Sequence, residues 1–445
     1  MTALSPQPYK GTRDYYPQDK RVQNYIFKTW RRVAELYGYE EYGTPLLEPL
    51  DVYAAKSGQE IVNDQTYSFM DRGDRQVAIR PEMTPSVSRL IAQQRQEMAY
   101  PARLYSIANF MRYERPQRGR EREFWQLNVD VFGVDEITAD AEIISIGSTI
   151  LKTFGADESM FTIKVNNRKV IQQIMTSYLD LDSDQSQKMV KLFDKKNKIE
   201  PIEFRNQALE IFGGMAAQDG LKKIIAMLSA KTIDDLPKEI LECEAMSEVR
   251  ALFTSLKKSG VGNAVFDATL MRGLDYYTGT VFEFFDTDPE NNRSLFGGGR
   301  YDGLVGMFGA EPISAVGFAP GLTTTELFLT SHKLLPVFHS TTDVYIVVLE
   351  DGEDAAAKLT KDLRAEGVKT ELDITGRKTD KQIKTALKKD IPFIIFVGVE
   401  EAQSQVYPFK VTASTEEKKL SFERIVSTVK DRRINRDSDI DDLFV

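Results

Sequence analysis

Between Val22 and Tyr37 apolar residues recur at helical spacing and the run stops at Gly38, which predicts an amphipathic helix with a glycine stop. A short apolar segment, TPLLEPL, follows and is punctuated by Pro45 and Pro49. Residues 1–166 mix helix and strand patterns in this way. From 167 to 262 the period becomes helical over long stretches, with Lys188, Lys191, Lys195, Lys196 and Lys198 and few strand signals, so a helical insertion is expected. Strand alternation returns at Tyr276–Phe285, ahead of a glycine run at Gly297–Gly299. Residues 263–333 therefore re-enter the first domain's sheet, and that domain is discontinuous.

After Leu334–Pro336 the pattern changes again: strand DVYIVVL, helix AAAKLTKDLRAEG, strand KTELDI, helix KTDKQIKTALKK and strand PFIIFVGV. Strands alternating with helices of this length predict a small parallel α/β domain over 340–430. The charge-rich end, 431–445, reads as a loose tail.

Composition narrows the class. At 445 residues the chain exceeds the size at which one core stops growing, so several domains are expected. No apolar run approaches the roughly 18 residues of a membrane span, and the N-terminus lacks the apolar core of a signal peptide. A cytoplasmic protein with no membrane partner is expected. A single cysteine, Cys243, excludes an internal disulfide, and with only His332 and His339 beside it a zinc site of His and Cys is not expected. The same scarcity removes most catalytic designs that use imidazole as base. A net charge of −9 does not advertise nucleic-acid binding. Nor does it exclude it, since counterion release depends on local contacts rather than average charge.

The stretch FMRYERPQRGREREFWQLNVDVFG carries the strongest chemical signal. Arg112, Arg115, Arg118, Arg120 and Arg122 surround Pro116 and Gly119, which predicts a basic loop suited to polyphosphate or an RNA end. The competing reading is a solvated loop paired with Glu114, Glu121 and Glu123. In the strand that follows, a period of two puts Trp125, Leu127, Val129 and Val131 on one face and Phe124, Gln126, Asn128 and Asp130 on the other. The polar face either meets water or lines a ligand pocket. QVAIRPEMTPSVSRL ends a strand at Arg80, turns at Pro81 and presents Glu82 and Thr84 at a helix start, as a helix-end charge or an amine ligand. MRGLDYYTGTVFEFF places Arg272, Asp275, Tyr276 and Tyr277 ahead of a strand. GGGRYDGL sets three glycines before Tyr301, a turn by the commoner reading or a close approach of backbone to ligand. Together these segments supply cations for phosphate, acids for an amine and aromatic walls.

RPEMT, RYERPQRGR with its downstream strand, RGLDYYTGTVFE and GGGRYD resemble the ordered signatures of histidyl-tRNA synthetases, and GTRDYYP resembles their opening motif. YGYEEYGTPLLEP looks like motif 1 of class II synthetases, the dimer-forming helix and strand. VYIVVL, LRAEGV, GRKTDKQIK and PFIIFVG look like the family's anticodon-binding domain, so the resemblance spans about residues 9–430. It implies an α+β chain: a class II catalytic domain with an antiparallel sheet and helical insertion, plus the C-terminal α/β domain. It implies ATP-dependent activation of L-histidine and transfer to tRNA(His), with Mg²⁺ accompanying ATP, no metal held by the protein, and a homodimer. Arg112 would hold the α-phosphate and Arg272 would sit across the reacting carboxylate and phosphate. Glu82, Thr84 and Gln126 would bind the amino group, with Met83 beside them. Asp130, Tyr276, Tyr277 and Tyr301 would surround the imidazole. Arg115, Gln117, Arg118 and Arg120 would lie near the tRNA acceptor end.

Two positions depart from the family pattern. Asp130 stands where most members have glutamate, one methylene shorter, and Thr323 and Thr324 stand at the Glu-Arg that ends motif 3, whose arginine ordinarily stacks on adenine. The main rival from another class is a non-catalytic, histidine-binding paralogue such as the regulatory subunit of ATP phosphoribosyltransferase. The intact arginine loop and the C-terminal domain count against it. A synthetase-like RNA-sensing module within a regulatory protein ranks last, because the chain carries no other effector signature.

Overall fold

The computed structural model describes residues 4–54, 64–196, 199–214, 217–230, 232–271, 276–291, 294–414 and 417–441. Arg272 and Asp275 lie outside the described residues. The chain divides into two compact units, Met1–Leu335 and Pro336–Val445.

The first unit opens with helix α1 (Pro17–Leu36), which starts before the predicted Val22. Pro17 occupies the first helical position, where its missing N–H costs nothing, and the Asp19 carboxylate accepts the Tyr16 N–H at 3.1 Å. Ile26, Trp30, Val33 and Ala34 form its buried stripe, and Gly38 ends it with φ +78°.

The central sheet has eight strands. In chain order they are β1 (Glu40–Glu41), β5 (Ala102–Met111), β6 (Glu123–Phe132), β7 (Phe161–Asn167), β8 (Ala264–Phe266), β9 (Thr280–Asp286), β10 (Ser294–Arg300) and β11 (Ala315–Phe318). Strands β2 (Leu47–Pro49), β3 (Ser68–Met70) and β4 (Gln76–Ile79) form a separate three-stranded sheet. The large sheet runs β1-β5-β6-β11-β10-β9-β7-β8, parallel at its two edge pairs and antiparallel between. Helix α2 (Asp51–Ala54) is short, and α3 (Thr84–Gln93) packs Val87 and Ile91 on Leu104 and Phe132 of the sheet. Helix α4 (Thr138–Thr153) packs on α1 and on β11.

Helices α5–α10 occupy the stretch from Arg168 to Lys258 and share a core that includes Ile174, Met189, Phe193, Ala208, Ile224 and Met246. No strand interrupts them among the described residues. The chain then re-enters the sheet at β8. Tyr276 and Tyr277 precede β9 rather than belonging to it, because the strand starts at Thr280. The glycine run makes no turn: Gly297–Gly299 lie inside β10, where neighbouring strands come too close for side chains. Helix α11 (Leu322–Ser331) follows β11 directly.

The second unit holds β12 (Val344–Val348), α12 (Glu353–Ala365), β13 (Thr370–Leu372), α13 (Thr379–Lys388), β14 (Phe393–Val397), α14 (Val399–Ser404), β15 (Val406–Val411), β16 (Glu417–Ser421) and α15 (Phe422–Asp441). The order is β13-β12-β14-β15-β16, with the first three parallel and the last two antiparallel, so the sheet is mixed rather than purely parallel. The two added strands are hard to see in sequence because Pro408 interrupts one and exposed lysines fill the other. Leu359, Leu363, Ile425 and Val429 cover one face, and Ile383 and Ala386 of α13 cover the other. Helix α15 continues across residue 431, where a loose tail was expected to begin.

One buried ion pair ties the first unit together. Arg300, at the end of β10, donates to both carboxylate oxygens of Asp140 on α4, which is fully buried, and to the carbonyls of Val134 and Glu136 at 2.9 and 3.2 Å. Asp140→Ala leaves the buried guanidinium only Asp302, at 3.5 Å, as counter-ion and should destabilise the fold by up to about 3–5 kcal/mol. Urea melts of Asp140→Ala and Asp140→Ala/Arg300→Met test this: the double variant should be the more stable of the two. Equal stability would mean that Arg300 finds water when Asp140 is removed.

Candidate active site

The site is built on the face of the sheet that carries Gln126, Asn128 and Asp130. The opposite face of β6 carries Leu127, Val129 and Val131 into the core, as the alternation predicts. The polar face does not meet bulk water: Asn128 is 5% exposed and Asp130 4%. Across the sheet Asp130 stands beside Gly317 of β11, and Gly317 beside Gly299 of β10. A Cβ added at Gly317 would lie 2.0 Å from Asp130 Oδ1, and one at Gly299 2.8 Å from the Tyr277 ring. These missing carbons make the floor of the site, and they select the close-approach reading of GGGRYD over the turn.

Two acids stand on this floor, each bonded to a tyrosine. Tyr301 Oη donates to Asp130 Oδ1 at 2.5 Å, and Tyr276 Oη donates to Glu82 Oε2 at 3.0 Å. The Tyr276 ring meets Tyr301 and Tyr277 edge-on, with centroids at 5.8 and 5.1 Å. Thr84, at the first position of α3, also meets the Tyr276 hydroxyl. The turn before α3 is fixed by Arg80, which is buried and donates to the Asn109 and Thr44 carbonyls, both at 2.9 Å. Arg112 Nε donates to the Pro81 carbonyl at 2.9 Å, and its guanidinium lies over Phe124 at 5.4 Å. The arginine proposed for phosphate and the turn that carries Glu82 are therefore one hydrogen-bonded unit.

Burial pushes the Asp130 carboxyl up from 3.8 to about 7, against the opposing effect of the Tyr301 hydrogen bond. Burial also raises the phenols of Tyr276, Tyr277 and Tyr301, so all three stay neutral donors.

Other expected residues fall less centrally. Gln126 is half-buried on the site face and bridges to Gly321. The Met83 side chain packs with Ala108 and Phe110 and takes the Thr44 hydroxyl on its sulfur. In the arginine loop Arg115 and Gln117 are exposed at a turn closed by the Arg120 N–H donating to the Gln117 carbonyl at 2.8 Å. The expected pairing with acids is partly present: Arg120 bonds Glu114 at 3.0 Å, and Arg118 lies 3.8 Å from Glu290.

Where motif 3 lacks its Glu-Arg, Thr324 Oγ1 donates to the Leu295 and Gly321 carbonyls at 2.8 and 3.1 Å, and Thr323 Oγ1 donates to Glu121 at 3.0 Å. Arg13 approaches the same place, stacked 4.3 Å over Tyr15, bonded to Glu326 at 2.9 Å and 3.9 Å from Glu121. Reading motifs singly missed this cluster. Its signal was an arginine in the opening motif that pairs with an acid 313 residues away.

The architecture, a mostly antiparallel sheet with paired acids and a basic loop on one face, is that of a class II aminoacyl-tRNA synthetase. Residues 11–324 match the family model "Histidyl-tRNA synthetase" and residues 343–432 match "Anticodon binding domain". The histidine–tRNA ligase of Leptospira biflexa is 40% identical over 432 residues, covering 96% of this chain and 98% of that protein. The ligase of Haloarcula marismortui is 36% identical over 90% of this chain and 92% of its own length. The solved histidyl-tRNA synthetase of Nostoc superposes with a TM-score of 0.81 at 25% identity, over 97% of this chain and 100% of that one. A Bacillus halodurans structure described as an ATP phosphoribosyltransferase regulatory subunit/histidyl-tRNA synthetase shares the fold at 23% identity and TM-score 0.70, over 88% of this chain and 99% of that one. The chain belongs to the histidyl-tRNA synthetase family. It is a histidine–tRNA ligase, and the non-catalytic paralogue is not favoured. No helix among the described residues is long and apolar enough to cross a membrane.

The raised Asp130 carboxyl links stability to pH. Between about pH 4 and 7 the folded protein keeps a proton that the unfolded chain has released, so this group's contribution to stability falls as pH rises through that window. Asp130→Asn removes the penalty. Without ligands the variant should be more stable than the parent at pH 8, by at most about 4 kcal/mol, with the gain fading towards pH 4. Urea melts at both pH values test it, and a difference independent of pH would show that Asp130 is ionised throughout.

Proposed function

We propose that Glu82 takes the amino group of histidine and Asp130 its imidazole, in a two-step reaction on ATP and then tRNA(His). The observation that carries this reading is the pair of buried acids separated by the edge-to-face rings of Tyr276 and Tyr301. One acid per nitrogenous group fits an amino acid with a basic ring. The substrate carboxylate attacks the α-phosphorus in line, giving histidyl-adenylate and pyrophosphate, and a ribose hydroxyl of the tRNA end then takes the acyl group. Neither step needs a protein nucleophile; the protein supplies position and charge stabilisation. Arg112 faces the α-phosphate, and Arg272, outside the described residues, keeps the role its motif implies. Gln126 and Thr84 join Glu82 at the amino group, and Tyr277 closes the aromatic wall. Arg115, Gln117, Arg118 and Arg120 face the acceptor end. Mg²⁺ enters with ATP, neutralising its β- and γ-phosphates.

Arg377, Lys381, Lys384, Lys388 and Lys389 line an open basic surface along α13 in the second unit, suited to RNA phosphates. A cytoplasmic location is compatible with the tRNA substrate. Homodimerisation is supported by Leu46, Leu47, Phe69 and Met70, apolar side chains left exposed on and beside the small β2-β4-β3 sheet.

Exchange of labelled pyrophosphate into ATP separates the first step from the second. It should depend on both histidine and Mg²⁺, and Arg112→Ala should slow it about a hundredfold or more, with Arg112→Lys recovering part. Lys381→Glu/Lys384→Glu should lower tRNA charging and leave exchange unchanged. Folded protein without histidine-dependent exchange would sink the catalytic reading in favour of the histidine-binding paralogue.

The dimer is tested by sedimentation: the parent should run as a dimer and Phe69→Glu should shift towards monomer. A monomeric parent would remove the homodimer from the proposal.

A further inference from the structure

Beside Asp130 the site contains more polar groups than the Asp130–Tyr301 pair uses. Asn128 Nδ2 is a buried side-chain polar atom without a hydrogen-bond partner in the fold, and the Tyr42 and Ser106 hydroxyls near it have only each other. Ser106 of β5 stands directly opposite Asn128 of β6 in the strand register. Tyr42 packs in the cluster that includes Tyr276 and Tyr301, and its hydroxyl lies beside Ser106 and in electrostatic range of Asp130. A buried polar atom left unsatisfied costs about 1–3 kcal/mol, so the Asn128 amide is costly to the fold unless something bonds to it. Asn128 is closed off no more deeply than Asp130, at 5% against 4% exposure. What reaches one acid on this face reaches its neighbour.

The strand orders the contacts. Gln126, Asn128 and Asp130 follow one another on one face at about 7 Å steps, with Gln126 at the amino-group end and Asp130 at the imidazole end. The middle residue therefore lies under the part of the substrate between its α-carbon and the far edge of its ring. In neutral imidazole one nitrogen carries a proton and the other accepts. An acidic acceptor at Asp130 selects the tautomer with its proton on the distal nitrogen, Nε2. The proximal nitrogen, Nδ1, is then an acceptor, and it lies on the Asn128 side.

We propose that Asn128 is a further specificity-determining residue of the histidine site, its carboxamide N–H donating to the proximal ring nitrogen. The proposal rests on the assignment of the imidazole to Asp130. Together the two strand neighbours read the ring as one donor and one acceptor. A pocket that binds both nitrogens rejects rings that lack either, because the unmatched protein group is left buried and unpaired.

The test pairs one residue with one ligand atom. 3-(Pyrrol-3-yl)alanine keeps an N–H at the distal ring position and has C–H at the proximal one. Dissociation constants of histidine and of this analogue, measured by titration calorimetry, should differ by about tenfold or more in the parent. In Asn128→Ala, and in the similarly sized Asn128→Leu should the alanine variant melt early, histidine should weaken by a similar factor. The analogue should stay within about twofold of its parent value, so that discrimination collapses. Equal weakening of both ligands would make Asn128 a structural residue, and unchanged binding of both would place it away from the ring; either result overturns the proposal. Asp130→Asn serves as the separate arm, since both ligands carry the distal N–H and both should weaken. If neither does, the assignment of Asp130 itself fails, whatever Asn128 shows.

Discussion

The active face depends on the salt bridge between Arg300 and Asp140. Taking both charges out of water costs several kcal/mol each, and the cost is offset because the guanidinium also bonds two backbone carbonyls and leaves little of its hydrogen-bonding capacity unused. The bridge fixes the end of β10 against α4. Tyr301 is the next residue, and its direction decides where Asp130 is held and where the Tyr276 ring can stand. A charge pair on the far side of the strand thus aims a phenol on the near side. The glycines just before Arg300 complete the arrangement by keeping the floor low.

The same face carries a deliberate instability. A carboxyl buried beside a single hydroxyl is easier to keep protonated than charged, and the Asn128 amide nearby has an N–H with no partner in the fold. A core built for stability alone would put apolar side chains there. Such costs gather where a ligand supplies the missing bonds, and they are borne by the packed helices and the anchored strand around them.

Much of this was legible in the chain. The alternation in FWQLNVDVFG placed Asp130 and Asn128 on one face, and the run from Pro81 to Thr84 gave the helix start that holds Glu82, because both signals depend on local periodicity and turn chemistry. The order of the four motifs gave the family. What stayed hidden depended on contacts between distant segments. Ser106 is a single hydroxyl in an otherwise apolar strand face, Tyr42 looks like any aromatic before a glycine, and neither gains meaning until β5 and β6 are in register. Arg13 meets Glu326 only after the sheet has closed. The glycine run misled for a related reason: its purpose is the nearness of neighbouring strands, which no local pattern states.

The threonines that replace the end of motif 3 have a consequence for chemical selectivity. Thr324 spends its hydroxyl on backbone carbonyls and Thr323 on Glu121, so neither stands in for the cation of the family pattern, and the guanidinium near this corner is that of Arg13, held by Glu326. A nucleotide mimic whose aromatic system draws its grip from a guanidinium at that position loses that partner here. Inhibitors built around an adenine-like ring would therefore separate this enzyme from relatives that keep the arginine, even though the amino-acid pockets of both read the same substrate.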